Sequence, residues 1–165
     1  MSGNVILEVD GLIKRYGDLT AVNGVSFRVQ TQEIFGILGP NGAGKTTTLE
    51  CIETLRPVDG GTVRVAGVDV SSDPLDVKRN IGVQLQSSSF FDKLTLAELL
   101  ALFGELYGRQ VDPLALLDEV ELRDRSRAQV AQLSGGQKQR FSIAAALVND
   151  PKVIFLDEPT TGLDP

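Results

Sequence analysis

Gly39–Thr46 reads GPNGAGKT, and the fold turns on how this stretch is framed. It satisfies G-x-x-x-x-G-K-[ST], a pattern with physical content only between a strand and a helix. Upstream lies the apolar run Ile34-Phe35-Gly36-Ile37-Leu38, expected to form a short buried strand. Downstream, Lys45 to Leu55 reads as a helix, with Leu49, Ile52 and Leu55 on one side and Arg56-Pro57 as its stop. In that frame each residue type has a physical task. Gly39, Gly42 and Gly44 permit a tight loop whose N–H groups point inward at phosphates. Lys45 brings positive charge to β- and γ-phosphates, Thr46 offers a hydroxyl to Mg²⁺, and the helix N-terminus adds its dipole. Pro40, Asn41 and Ala43 complete the loop, and Thr47 follows it. The alternative, a Gly-rich turn with no ligand, is the weaker reading once the flanking elements are counted.

Further along, Val153-Ile154-Phe155-Leu156 reads as a second buried strand that delivers Asp157 and Glu158 at its C-terminal end. Ligands of open α/β sheets bind at such ends. Asp157 can hold a Mg²⁺ that bridges β- and γ-phosphates, and Glu158 can orient and deprotonate an attacking water. Alone, two acids after a strand describe a solvated strand end. The phosphate loop upstream gives them a use.

Between the two lies LSGGQKQR, from Leu133. Ser134-Gly135-Gly136-Gln137 fits a capping box, so a helix is expected from Ser134 to about Val148. A glycine-lined cap would explain Ser-Gly-Gly by itself. A second anion-binding helix start in one chain explains more. One nucleotide needs one cradle, so the chain carries two half-sites, and a symmetric head-to-tail dimer would join each cradle to the partner's LSGGQ.

The rest of the chain supports an α/β domain. VILEV, VSFRV and GTVRVAGVDV alternate apolar residues between Gly and Asp-Gly punctuation, which predicts early antiparallel strands. Thr95 with Glu98 predicts a capping box, and Leu96, Leu99, Leu100, Phe103, Leu106 and Tyr107 follow at helical spacing up to Gly108. Asp73-Pro74 and Asp112-Pro113 open further short helices. The expected fold class is α/β, a phosphate-loop core with a parallel sheet, an N-terminal antiparallel layer and a helical part.

Composition sets outer bounds. The 165 residues carry a formal net charge of -6, with 42% hydrophobic and 23% charged residues. The acidic balance argues against a broad grip on nucleic acid. The single Cys51 excludes an internal disulfide framework and reads as a small buried hydrophobe. No stretch approaches the roughly 18 apolar residues of a membrane span, and the first residues lack the pattern of a signal peptide.

Taken together, GPNGAGKTT, LSGGQKQR, VIFLDEP and TTGLDP resemble the nucleotide-binding domain of ABC transporters over the whole of residues 1–165. The resemblance implies binding and hydrolysis of ATP with Mg²⁺, with Glu158, Lys45 and Gln86 as catalytic residues. It implies that Tyr16 in KRYGDL stacks on adenine, the alternative being a surface aromatic at a strand end. Gln86 resembles the glutamine that touches Mg²⁺ and couples to the membrane partner, with Gln84 as the nearby competitor. Asp164 resembles the aspartate at the dimer seam. Thr46, Gln86 and Asp157 are then the metal ligands. A stretch of about 90–140, from Phe90 through Leu133, resembles the helical subdomain that docks on the membrane subunit.

The implied partners are an integral membrane subunit and a second nucleotide-binding domain. The implied place is the cytoplasm, peripheral on the inner face of the cell membrane. The run ALVNDPKVIFLDEPTTGLDP is similar to the exporter branch that handles drugs, lipids or polysaccharides. Two other functions remain: a soluble ATPase of the same type in translation or DNA repair, and a module that holds nucleotide without turnover. The family's switch histidine lies beyond the aspartate of the dimer seam, and the chain has no histidine. A further C-terminal segment is therefore expected in the parent, with weak or no hydrolysis without it.

Overall fold

The computed structural model describes residues 4–84, 90–91 and 93–156. The chain divides between residues 81 and 82 into two units. The first is built on a four-stranded antiparallel sheet in the order β2-β1-β3-β4. Its strands are β1 (Val5–Tyr16), β2 (Leu19–Gln30), β3 (Gly60–Val65) and β4 (Val68–Asp69). Alternation explains the pairing. Leu7 and Val9 lie opposite Val29 and Phe27 on one side, and opposite Val65 and Val63 on the other. Leu7, Val9, Leu12, Val63 and Val65 are all buried. A one-residue slip would expose that whole set, which fixes the register. The hairpins extend well past VILEV and VSFRV, because β1 and β2 continue to a tight turn at Gly17.

Helices α1 (Lys45–Ile52) and α2 (Pro74–Asn80) complete this unit. Cys51, Ile52 and Val77 are fully buried, as the reading of Cys51 as a small hydrophobe requires. Burial also pushes its thiol pKa up, which makes it a poor nucleophile.

In the second unit, which takes in all of β5 (Ile81–Gln84) but its first residue, β5 and β6 (Val153–Leu156) form a two-stranded sheet. Between them run α3 (Leu96–Leu106), α4 (Pro113–Glu119) and α5 (Gly135–Leu147). Such a helical crossover is the connection that parallel strands need. Leu96, Leu99, Leu100, Leu117, Leu122, Phe141 and Ala144 make the helical core, with no exposed surface. Phe90 meets the Phe141 ring edge-on at 5.0 Å, a geometry that aromatic quadrupoles favour. Arg109 donates to the Asn149 carbonyl at 2.8 Å, which ties the α3–α4 loop to the chain leaving α5.

Three expectations need correction. Ile34–Leu38 is not a strand, and Ile34 and Leu38 are 102% and 94% exposed. A buried strand needs hydrogen-bonding neighbours, and no strand among the described residues pairs with this run. The chain instead turns out of β2 at Gln32, and Phe35 stacks on Phe27 at 4.9 Å. The helix after the loop ends at Ile52 and not at Leu55. Thr54 takes a left-handed conformation with φ 62°, which throws Leu55 out to solvent. Finally, β6 is not buried throughout. Phe155 is buried, while Ile154 and Leu156 are 40% and 42% exposed, the period of a half-covered strand.

Candidate functional site

The loop Gly39–Gly44 is shaped by its own backbone. The Ala43 N–H donates to the Pro40 carbonyl at 3.2 Å and closes a tight turn. Gly42 and Gly44 adopt φ 80° and 81°, left-handed values that side chains disfavour. Left-handed residues set into a turn direct successive N–H groups toward one point, the concavity that anions occupy. At Gly44 there is a second constraint. A Cβ there would collide with the Ala21 carbonyl oxygen, a fixed backbone atom of β2. Gly44→Ala should therefore displace the loop, lowering stability by about 1–3 kcal/mol and weakening nucleotide binding at least about tenfold. Thermal melts and a nucleotide titration on the full-length protein check both. An unchanged affinity would show that the loop tolerates the shift.

Lys45 folds back over this loop. Its ammonium donates to the Gly39 and Pro40 carbonyls at 2.8 and 2.9 Å. An ammonium has three N–H donors, and among the described residues two of them are used here. The start of α1 differs from every other α-helix of the described residues. Asp73, Thr95, Asp112 and Ser134 cap α2 to α5 with side-chain oxygens. Gly44 caps α1 with no side-chain hydrogen bond, and the first turn of α1 contains no acidic residue. The first N–H groups of a helix have no intrahelical partner. Here nothing from the helix's own cap takes their place, so donors and dipole are left for an external anion. Thr46 is exposed on the first turn. Its hydroxyl is a hard oxygen donor of the kind Mg²⁺ prefers. Among the described residues no cluster of three or more His, Cys, Asp or Glu offers a metal site.

The LSGGQ helix start is built differently. Ser134 Oγ accepts from the Gln137 N–H at 3.3 Å, and Gln137 Oε1 accepts from the Ser134 N–H at 3.0 Å. This is the capping box that the residues predict, and it fixes the Ser134 side chain. Accepting with a lone pair leaves the hydroxyl hydrogen available to donate. Ser134 and Gly135 are exposed at this end of α5.

Tyr16 stands at the end of β1, 41% exposed. Gln84, the competitor of Gln86, is buried, and its amide oxygen has no partner among the described residues. A group so enclosed is not an exposed ligand. Gln86, Asp157, Glu158 and Asp164 lie outside the described residues. β6 ends at Leu156, the residue before the paired acids.

Comparison with known proteins gives a consistent answer. The family described as ABC transporter matches residues 22–161. The chain is 45% identical over 157 residues to the Nod factor export ATP-binding protein I of Burkholderia lata, covering 92% of this chain and 52% of that protein. It is 43% identical over 164 residues to the daunorubicin resistance ATP-binding protein DrrA3 of Streptomyces coeruleorubidus, covering 96% and 52%. The chain thus spans about half the length of these relatives. An ATP-binding subunit of an ABC transporter superposes with a TM-score of 0.85 at 31% identity, over 97% of this chain and 69% of that one. A dimeric, post-hydrolysis structure of the ATP-binding cassette MJ0796 bound to ADP and Pi gives 0.82 at 30% identity, over 96% and 76%.

Proposed function

The chain belongs to the ABC transporter family, and from that premise we propose that it is the nucleotide-binding domain of an ATP-hydrolysing subunit that drives export by a separate membrane protein. One observation carries the nucleotide reading. The glycine-capped α1 keeps its first-turn donors free of any side-chain cap, with the Lys45 ammonium at the same loop. The names of the relatives, Nod factor export and daunorubicin resistance, support export of a drug, lipid or polysaccharide.

In this reading the loop N–H groups and Lys45 bind the β- and γ-phosphates, and Tyr16 covers the base. Thr46, Gln86 and Asp157 would hold Mg²⁺, which when bound neutralises charge on the transferring phosphoryl group. Glu158 takes the proton of the attacking water. Ser134 and Gly135 of a second copy approach the γ-phosphate from the opposite side, with Asp164 at the seam. A dimeric bacterial ABC transporter cassette among the structural neighbours supports pairing of two such domains. Residues of about 90–140 form the part that meets the membrane subunit, which places the protein on the inner face of the membrane. No helix among the described residues is long and apolar enough to cross a membrane.

Fractionation of cells that make the full-length protein tests the assignment. The protein should pellet with membranes only when the membrane subunit is co-expressed, and ATP hydrolysis by the pair should exceed that of the protein alone. Sedimentation with ribosomes or DNA, independent of any membrane protein, would overturn export in favour of a soluble ATPase.

A further inference from the structure

Lys14 occupies a position where a lysine is costly. It follows Leu7, Val9 and Leu12 on the buried register of β1 and is itself only 5% exposed. Lysines are almost never so enclosed unless paired, and an apolar side chain of similar length would pack there at lower cost. Among the described residues its ammonium has two partners. It lies 3.1 Å from the Asp59 carboxylate, and 5.5 Å from the centre of the Tyr16 ring.

Asp59 does more than neutralise a charge. Its second oxygen accepts from the Arg15 backbone N–H at 2.7 Å, and its own N–H donates to the Ile13 carbonyl at 3.0 Å. It therefore grips residues 13, 14 and 15, the three that lead to Tyr16. The β1–β2 register shifts between Lys14 and Arg15, and irregularities of that kind re-aim the side chains next to them. The clamp holds such an irregularity in one form. The Arg15 amide and the Lys14 ammonium also hold the Asp59 carboxyl below its ordinary pKa, so it stays ionised near neutrality.

We propose that Lys14, fixed by Asp59, is a positioning and specificity residue for the nucleotide base: it holds one face of the Tyr16 ring so that a purine stacks on the ring at a set distance from the phosphate loop. The proposal rests on the reading of Tyr16 as the base-stacking residue. A cation held at a ring draws on its π-electrons, which suits the ring to an electron-rich purine. A pyrimidine offers less stacking area. An apolar residue at position 14 would keep the strand buried but leave Tyr16 free to choose among rotamers.

Calorimetric titration of the full-length protein with two probes, MgATP and magnesium tripolyphosphate, tests this. The second probe engages the phosphate loop and has no base. Lys14→Met should weaken MgATP about three- to tenfold and leave tripolyphosphate unchanged. Asp59→Asn should act in the same direction, and Lys14→Arg should restore part of the loss. Lys14→Met combined with Tyr16→Ala should bind no more weakly than Tyr16→Ala alone. Equal loss for both probes, no loss for either, or a double variant that simply adds the two effects would overturn the role of Lys14. If Lys14→Met does not fold, the Asp59→Asn comparison decides by the same ratio. Tyr16→Ala is the separate control. An unchanged ratio of the two affinities in that variant would overturn the base-stacking reading itself, and the proposal with it.

Discussion

Lys45→Ala is expected to remove nearly all affinity of the full-length protein for MgATP, on the order of a hundredfold or more. The Lys45 ammonium already converges on the loop, at 2.8 and 2.9 Å from the Gly39 and Pro40 carbonyls. An entering phosphate offers the same ammonium full negative charge in place of two carbonyl dipoles. Hydrogen bonds to charged groups contribute roughly 1.5–3 kcal/mol each, and about 1.4 kcal/mol corresponds to a factor of ten in binding. Two such bonds from one ammonium therefore account for a loss of that size. The folded chain loses little, because among the described residues the side chain bonds to carbonyls of an exposed loop. The melting temperature should stay near that of the parent while the titration flattens. Lys45→Arg should rescue poorly, since a planar guanidinium does not replace a compact point charge in a loop this tight. Parental affinity in Lys45→Ala would remove the phosphate loop from the mechanism.

What the residues disclose in advance follows the range of the interactions. Thr95 with Glu98 and Ser134 with Gln137 are legible because a capping box spans three residues, and both form as expected. The loop Gly39–Thr46 is legible for the same reason. Its turn and its lysine act within a few residues, with Ala43 closing on Pro40 and Lys45 folding back on Gly39 and Pro40. Interactions across long separations are not. Ile34–Leu38 has the composition of a buried strand, but composition does not supply the neighbouring strands, and the run stands open. Leu55 carries the helical spacing, yet the left-handed Thr54 ends the pattern one residue before it.

Lys14 is the sharpest case. By type it belongs outside, and only Asp59, 45 residues further on, makes it tolerable inside. Nothing near it in the chain announces that partner. The pair is therefore not legible in the sequence, whereas Tyr16 is marked by the resemblance of its surroundings and not by any periodicity.

The second large effect concerns the adjacent acids, which sequence places after β6 and which need opposite outcomes to keep their roles. Glu158→Gln should leave MgATP affinity close to parental and lower hydrolysis by about 10²–10⁴-fold, the usual contribution of a positioned general base. An amide of nearly the same shape still fills the site but cannot take a proton from water. Binding then outlasts chemistry, and the ATP-bound head-to-tail dimer should accumulate. Size-exclusion chromatography with and without ATP would show it as a nucleotide-dependent shift to double the mass. Asp157→Asn should behave differently. Removing a formal charge from a hard-cation site weakens Mg²⁺ retention, so the loss should appear in binding, and raising the Mg²⁺ concentration should recover part of it. Steady-state hydrolysis alone cannot separate the two variants, since both fall. Affinity measured across a Mg²⁺ series can. If Glu158→Gln turns over ATP at the parental rate, the base is another group. If both variants respond alike to added Mg²⁺, the two acids share the metal, and the division of labour between them fails. The dimer shift is the more searching of the two readouts, because it requires Ser134 and Gly135 of one copy to recognise phosphate bound on the other. A Glu158→Gln protein that binds ATP tightly and stays monomeric would leave the cradle intact and remove LSGGQ from the nucleotide site.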